Sequence, residues 1–343
     1  MNDVNPADFN RIQQLIKQEK YSSVEDFVEI AIRNQLVLES SRQEVPAQTV
    51  PVASTKQENY MAKIFRENLK TVHSLSIGSS RAYEPLWGLI NRIAPAKIVL
   101  RALCNALLHH DSDWINLSEF NQIAISEASR IRTSLDKYEK KFTVTRGESL
   151  KMGFPQKDFK SQQRFTGVYV GRLRGSDKVD GVLGDLEFAS IIKTDSDTIP
   201  SSKIGITDYG LRFAAIESPL IDKFVLAQQE ISSAFSDEEV QFLLEHFRQI
   251  RPGEYEFLLF LLRSVQAGAT DPKKISILVS KYMEKTDFTT TMISSIQAGA
   301  IARLVEMRLI RIVKSGIYTS YKIQESAITD KLLSENGIIQ FDI

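Results

Sequence analysis

The sequence predicts a mostly α protein of the α+β class, with small β-hairpins and more than one domain. Apolar residues recur at steps of three and four over most of the chain, which is typical of amphipathic helices. Near the C-terminus this period changes: residues 289–309 have helical spacing, whereas 310–323 indicate two short strands joined by a Lys314-Ser315-Gly316 turn. The length of 343 residues favours roughly two to three domains.

Composition places the chain among ordinary globular proteins. Hydrophobic residues make up 43% and charged residues 25% of the sequence. No apolar run approaches the ~20 residues of a membrane span, and the first residues show no secretory signal. A single cysteine, Cys104, lies in an apolar helical pattern and is predicted to be buried. We therefore expect a cytoplasmic protein.

Residues 1–40 are predicted to form a helical hairpin. Pro6 suits the first turn of one helix, and Ser22 or Ser23 can cap the next. The stretch Tyr21-Ser-Ser-Val-Glu-Asp-Phe-Val-Glu-Ile-Ala-Ile-Arg-Asn-Gln-Leu36 resembles the second helix of ribbon-helix-helix proteins, and that resemblance implies dimerisation. The segment has four basic and seven acidic residues, the wrong sign for a DNA-facing arm. We interpret it as a dimerisation element, with a hairpin packed on its own chain as the alternative.

A linker and a helical domain are expected next. Residues 41–57 contain two prolines and no aromatic residue, which is typical of a flexible linker. Residues 58–222 are predicted to form a domain with a helix over 58–76, a long helical pattern over 83–109 that is interrupted at Ala94-Pro95, and a strand over 165–173. The apolar residues of 83–109, among them Trp87 and Leu89, are expected to form core.

The end of that domain carries a second resemblance. Ile204-Gly-Ile-Thr-Asp-Tyr-Gly-Leu-Arg-Phe-Ala-Ala215 has a strand-like start, a Thr-x-x-Gly step and a helical continuation. This order resembles the closing part of winged-helix domains. The resemblance implies a decorated winged-helix-like fold for 58–222.

Residues 223–343 are predicted to form a second such domain. Ser236 and Asp271 have the positions of helix N-caps, with acidic residues or a proline directly after them. The helix and hairpin of 289–323 that follow resemble the end of a winged helix-turn-helix domain. That resemblance implies DNA binding, with the helix in a major groove and the hairpin, or wing, on the backbone or in the minor groove.

The resemblance also implies individual contacts. Ser294, Ser295 and Gln297 would meet base edges near the start of a recognition helix over 294–307. Phosphate contacts would come from Arg303, Lys314 and Tyr318. At Arg308 many winged-helix proteins have glycine, because the residue after a helix often takes a positive φ. We therefore expect an unusual or strained exit from this helix.

Charge is distributed unevenly along the chain. Residues 130–178 hold 13 basic and 5 acidic residues, whereas 181–260 hold 6 and 14. A basic stretch of this kind is a candidate phosphate-facing surface, and Arg146 and Lys151 are its candidate DNA contacts. The alternative is the ordinary fluctuation of charge along any chain.

Motifs for catalysis or metal binding are missing from the sequence. It contains no Gly-rich phosphate loop, no Gly-x-Ser-x-Gly, no His-Glu-x-x-His and no cysteine pair. His109, His110, Asp111 and Asp113 lie together, but they lack the spacing of a metal site. We expect no cofactor, no metal and no enzymatic activity.

Taken together, the patterns predict a homodimeric protein that binds double-stranded DNA and regulates transcription. The alternative is a scaffold or adaptor subunit of a DNA-processing or defence assembly, whose winged helices dock on protein partners. An enzyme with a site formed by long-range geometry is a third possibility.

Overall fold

The computed structural model describes residues 60–74, 79–141, 148–174, 178–194, 201–284, 286–315 and 318–334. The predicted hairpin over 1–40 and linker over 41–57 lie outside these ranges. Asn59–Ile343 forms one compact unit. Both predicted domains, 58–222 and 223–343, fall within that unit apart from residue 58, and the boundary between them stays a prediction.

The fold combines helices with small antiparallel sheets, which confirms the α+β class. The helices are α1 Ser79–Ala82, α2 Ala94–His109, α3 Leu117–Glu139, α4 Phe159–Phe165, α5 Val182–Asp185, α6 Asp208–Ala215, α7 Asp237–Ile250, α8 Pro252–Gln266, α9 Pro272–Tyr282, α10 Thr290–Glu306 and α11 Ala327–Ser334. Short π-helical turns span Thr166–Val170 and Pro219–Leu226. No helix in the described ranges is both long and apolar enough to cross a membrane.

The strands form three separate sheets in the described part of the chain. They are β1 Ile115–Asn116, β2 Arg172–Arg174, β3 Lys178–Asp180, β4 Ala189–Thr194, β5 Ser201–Ile206, β6 Ile310–Ser315 and β7 Tyr318–Ile323. One sheet has the order β1-β5-β4, and the other two are the β2-β3 and β6-β7 pairs. All pairings are antiparallel.

Helix α2 is buried over nearly its whole length. Pro95 lies in its first turn, where a missing N–H is tolerated, and Cys104 is fully buried as predicted. The helix also buries two basic residues. Lys97 Nζ lies 3.0 Å from Glu239 Oε1, and Arg101 Nη2 lies 3.1 Å from Asp222 Oδ2. Because buried charges need partners, these pairs fix the elements around α2.

The predicted helix starts are confirmed. Ser236 accepts a hydrogen bond from the Glu239 N–H, and Glu239 accepts one from the Ser236 N–H, which is a capping box for α7. Asp271 caps α9. Thr207 Oγ1 accepts from the Gly210 N–H between β5 and α6, so the strand, Thr-x-x-Gly and helix order is present.

The helix and hairpin expected near the C-terminus are also present. Helix α10 is followed directly by β6 and β7, which pair from Ile310↔Ile323 to Ser315↔Tyr318. Arg308 has φ +59°, the left-handed conformation expected at that position. The Arg308 N–H donates to Val305 O at 3.0 Å and the Leu309 N–H to Leu304 O at 2.9 Å. This is a Schellman motif with arginine in the place usually held by glycine.

The predictions of a strand from residue 165 and of a helix over 58–76 are wrong. Residues 165–170 are helical rather than extended, because Phe165 and Tyr169 are four apart and pack together in the core with ring centroids 5.2 Å apart. Within residues 60–74 the described backbone is mostly non-helical, with one short 3₁₀ turn at Arg66–Asn68. There the Val72 N–H donates to Ile206 O at 2.8 Å, so this segment forms a backbone hydrogen bond to β5 in place of a helical one.

Candidate nucleic-acid interface

The first half of α10 presents polar side chains to solvent. Ser294 and Ser295 lie at its surface, and Gln297 is partly buried and donates to Ser276 Oγ of α9 at 3.1 Å. Thr291 belongs to the same half of the helix and is exposed. This surface is uncharged, so it can meet base edges but offers no cation to a phosphate.

The other sides of α10 are covered. Ile296, Ala300 and Leu304 are buried in the core. On a neighbouring side, the Gly88 backbone approaches Gly299 so closely that a Cβ there would lie 2.8 Å from Gly88 Cα. The segment before α2 therefore occupies part of the helix that the resemblance assigned to DNA.

Arg303 is not a phosphate contact in this structure, and the prediction for it is wrong. Its side chain is fully buried, with Nε 2.8 Å and Nη2 3.0 Å from the two carboxylate oxygens of Glu254. It also donates to the carbonyl of Ile90. Glu254 in turn accepts from the Leu86 N–H at 2.8 Å. A buried guanidinium with these hydrogen bonds cannot reach a duplex unless the contacts around it break.

Lys151, the predicted DNA contact, is engaged with carboxylates in this structure. Its Nζ lies 2.7 Å from Asp136 Oδ1 and 3.6 Å from Glu139 Oε2. The hydrogen bond to Asp136 raises the pKa of Lys151. Two carboxylates beside one ammonium would repel a phosphate. Arg146, the other predicted contact of this stretch, lies outside the described residues.

The hairpin end exposes its two predicted contacts. Lys314 is exposed, and Tyr318 is 75% exposed. The register pairs Lys314 with Thr319 and Ser315 with Tyr318, so both predicted residues lie at the β6-β7 turn. A cation and an aromatic ring at such a turn can reach a nucleic-acid backbone beside a docked helix.

Sequence reasoning missed an apolar ridge formed by Trp87 and Leu89. We expected both side chains in the core, but they are 50% and 51% exposed. Their neighbours Leu86 and Ile90 take the buried positions instead. Helical spacing predicted the wrong set of buried side chains because residues 84–93 are not helical and do not extend α2.

A basic hollow of about 410 Å³ lies on one side of the ridge. Lys160 and Arg164 of α4 line it, and neither has a carboxylate within 4 Å among the described residues. Arg81 also lines it but lies 2.7 Å from Asp185, so that charge is compensated. The π-helical turn Thr166–Val170 forms part of the wall, a type of turn found often at functional sites.

A second hollow, the helix hollow, lies on the other side of the ridge and measures about 210 Å³. It is lined by Thr291, Met292 and Ser295 of α10 as well as by Trp87 and Leu89. The ridge thus borders both hollows, one lined by the cations of α4 and the other by the exposed half of α10.

Comparisons with known proteins identify no relative. No protein-family model, curated protein or solved structure matches this chain. In the part of the chain that the structure describes, no three His, Cys, Asp or Glu side chains are grouped to hold a metal ion. The interface geometry is therefore the basis for assigning a function.

Proposed function

We propose that this protein binds double-stranded DNA through the exposed half of α10, the hairpin end and the basic hollow. The observation that carries the proposal is the shared ridge of Trp87 and Leu89. It adjoins both the polar start of α10 and the cations Lys160 and Arg164, which have no carboxylate partner in the described ranges. An uncharged reading surface with cations beside it separates base contacts from phosphate contacts.

In this proposal α10 enters the major groove with its N-terminal half. Ser294 and Ser295 meet base edges, which serine hydroxyls can do as donor or acceptor. The order α9, α10, β6-β7 supports the winged helix-turn-helix resemblance, in which the hairpin flanks the docked helix. Lys314 and Tyr318 then contact the backbone.

In this proposal Lys160 and Arg164, rather than Arg303 and Lys151, contact the phosphates. Both residues belong to the basic stretch over 130–178. Each contact of this kind contributes to affinity and to its salt dependence, but not directly to sequence preference. We further propose a cytoplasmic, non-enzymatic homodimer that regulates transcription, with dimerisation through residues 1–40.

Protein docking is a second candidate function, favoured by one observation. Two large apolar side chains, Trp87 and Leu89, stand half-exposed beside the uncharged stripe of α10. Exposed apolar patches often mark protein interfaces. A scaffold subunit that docks a partner here would bind with little dependence on salt.

Duplex binding at several salt concentrations tests the proposal. We expect the full chain to bind DNA and to enrich a sequence motif from random duplexes. The double variant Lys160→Ala/Arg164→Ala should reduce the magnitude of the slope of log K against log salt by about 2, close to one per lost phosphate contact. Its preferred motif should stay the same, because phosphate contacts carry no direct sequence information.

Lys140→Ala/Lys141→Ala is the matched control. These two exposed lysines belong to the same basic stretch but do not line either hollow. If both double variants change the slope equally, general charge explains binding and the basic hollow has no special role. If the full chain binds no DNA even at low salt, the docking function takes its place, and Trp87→Ala should then abolish partner binding.

A further inference from the structure

A third cavity, the arginine cavity, lies where α10 ends and the hairpin begins. It measures about 210 Å³ and is enclosed by the end of α10, the start of β6, and the segments 148–150 and 232–234. It is smaller than the roughly 300–1,000 Å³ of sites for drug-sized ligands. Only a small ligand fits within it.

Among the residues that the structure describes, three arginines line this cavity. Arg92 is 6% exposed, and its Nη1 donates to Ala302 O at 2.7 Å. Arg308 and Arg311 are exposed, and neither has a carboxylate within 4 Å among the residues described. Guanidinium groups that lack a carboxylate are suited to bidentate binding of phosphate oxygens.

Two carboxylates also line the cavity, and one of them is directed elsewhere. Glu306 accepts from the backbone N–H groups of Ile93 at 2.6 Å and Ala94 at 3.2 Å, at the start of α2. Its negative charge thus lies at the N-terminal end of α2, where the helix dipole stabilises it. Glu148 is the second carboxylate. In the described lining the three arginines exceed these two carboxylates in charge, and Ser149, Ser232 and Ser233 add hydroxyl groups to the wall.

The backbone of Arg308 is a separate feature of the same cavity wall. Glycine adopts φ +59° without strain, whereas an arginine there is strained. Strained residues of this kind are concentrated at binding and catalytic sites. Arginine at the C′ position therefore lowers stability, and it places on the cavity wall a guanidinium that has no carboxylate partner within the described part of the chain.

We propose that the arginine cavity binds a small phosphate-bearing molecule. The cavity size favours a small ligand, and the guanidinium groups of Arg308 and Arg311, which have no carboxylate partner among the described residues, favour phosphate. The inference stands apart from DNA binding, because neither Lys160 nor the exposed half of α10 contributes to this cavity.

The test is calorimetric titration of the full chain with inorganic phosphate and with pyrophosphate, together with thermal unfolding. We expect saturable pyrophosphate binding that raises the Tm, as for any ligand that binds only the folded state. Arg308→Gly should weaken this binding at least about tenfold, since it removes one bidentate contact. The same variant should raise the Tm of the unliganded protein by about 2 °C, because glycine relieves the strain.

This opposite pair of effects separates loss of a site from loss of the fold. Lys193→Ala, an exposed lysine of β4, is the control for charge and should bind as the unmodified chain does. If Arg308→Gly does not fold, Arg311→Ala provides the second test and should weaken binding to a similar extent.

Three results would overturn the proposal. The first is that the unmodified chain binds neither phosphate nor pyrophosphate. The second is equal binding by the unmodified chain and by both arginine variants. The third is weaker duplex binding by Arg308→Gly with unchanged pyrophosphate binding, which would assign the cavity to the DNA backbone instead.

Discussion

His246 illustrates how the core can hold a titratable side chain in its neutral form. Its ring stacks on Phe188 with centroids 4.7 Å apart, and Tyr209 approaches it edge-on at 4.9 Å. Nε2 lies 2.7 Å from Leu186 O, so that nitrogen carries the proton and donates it. Burial lowers the pKa of His246 from 6.5 to about 4.

A pH-dependent stability follows from this shift. Between pH 6.5 and about 4 the unfolded chain binds a proton at His246 that the folded chain does not. The contribution of neutral His246 to the unfolding free energy is therefore fully present above pH 6.5 and is lost as the pH falls towards 4. The total change is on the order of 3 kcal/mol.

The variant His246→Phe isolates this effect, because other titrating groups are common to both proteins. We expect the difference in unfolding free energy between the unmodified chain and His246→Phe to change by about 3 kcal/mol from pH 7 to pH 4, with the unmodified chain losing stability relative to the variant. Denaturant unfolding at a series of pH values measures it. A difference that stays constant with pH would mean that His246 does not titrate in this window.

At the scale of elements, Gly88 approaches α10 closely at both Ser295 and Gly299. A Cβ on Gly299 would lie 2.8 Å from Gly88 Cα and 2.9 Å from Gly88 O. A Cβ on Gly88 would in turn meet the backbone of Ser295. Two glycines thus let the segment before α2 lie against the helix.

Gly299→Ala has two opposing effects on the unfolding free energy, one from helix propensity and one from packing. Alanine within a helix is favoured over glycine by about 1 kcal/mol. Overpacking in a filled core costs about 1–3 kcal/mol, and here the contacted atoms belong to the backbone and cannot rotate away. We expect a net loss of about 1–2 kcal/mol in the unfolding free energy, measured by urea unfolding.

Ser294→Ala is the control on the same helix, since Ser294 lies at the surface. Its effect should stay within about 0.5 kcal/mol. If Gly299→Ala instead stabilises the protein, the segment before α2 does not lie against α10 in solution.

At the scale of the whole molecule, buried charge pairs cross the predicted boundary at 222/223. Lys97 of α2 pairs with Glu239 of α7, and both are almost fully buried. The pair of Glu254 and Arg303 binds the backbone of Leu86 and Ile90. The residues before 222/223 cannot separate from those after it without leaving buried charges unpaired. We therefore expect 59–343 to unfold in one cooperative transition.

Glu239→Gln tests this expectation. The amide can still cap α7, but it leaves Lys97 without its carboxylate. We expect the unfolding free energy to fall by about 3 kcal/mol, the lower end of the range for breaking a buried pair, because Lys97 also donates to Phe213 O and Ile216 O. Calorimetry should show one transition at a lower Tm.

Glu238→Gln removes an exposed charge from the same helical turn and should have little effect. Two separate transitions, only one of which shifts in Glu239→Gln, would contradict the expectation and support independent domains over 58–222 and 223–343.

Local features were determined by the sequence alone. The caps Ser236 and Asp271, the helix and hairpin of 289–323, and the unusual conformation at Arg308 depend on hydrogen bonds within a few residues. The types of neighbouring residues therefore sufficed to predict them.

The tertiary structure decided which side chains are exposed. Arg303 is buried because Glu254, 49 residues away in sequence, neutralises it. Trp87 is exposed because the segment before α2 follows its glycine contact with α10 rather than the helical period. Burial depends on partners that are distant in sequence, so the candidate interface emerged only when the folded chain brought α4, the ridge and α10 together.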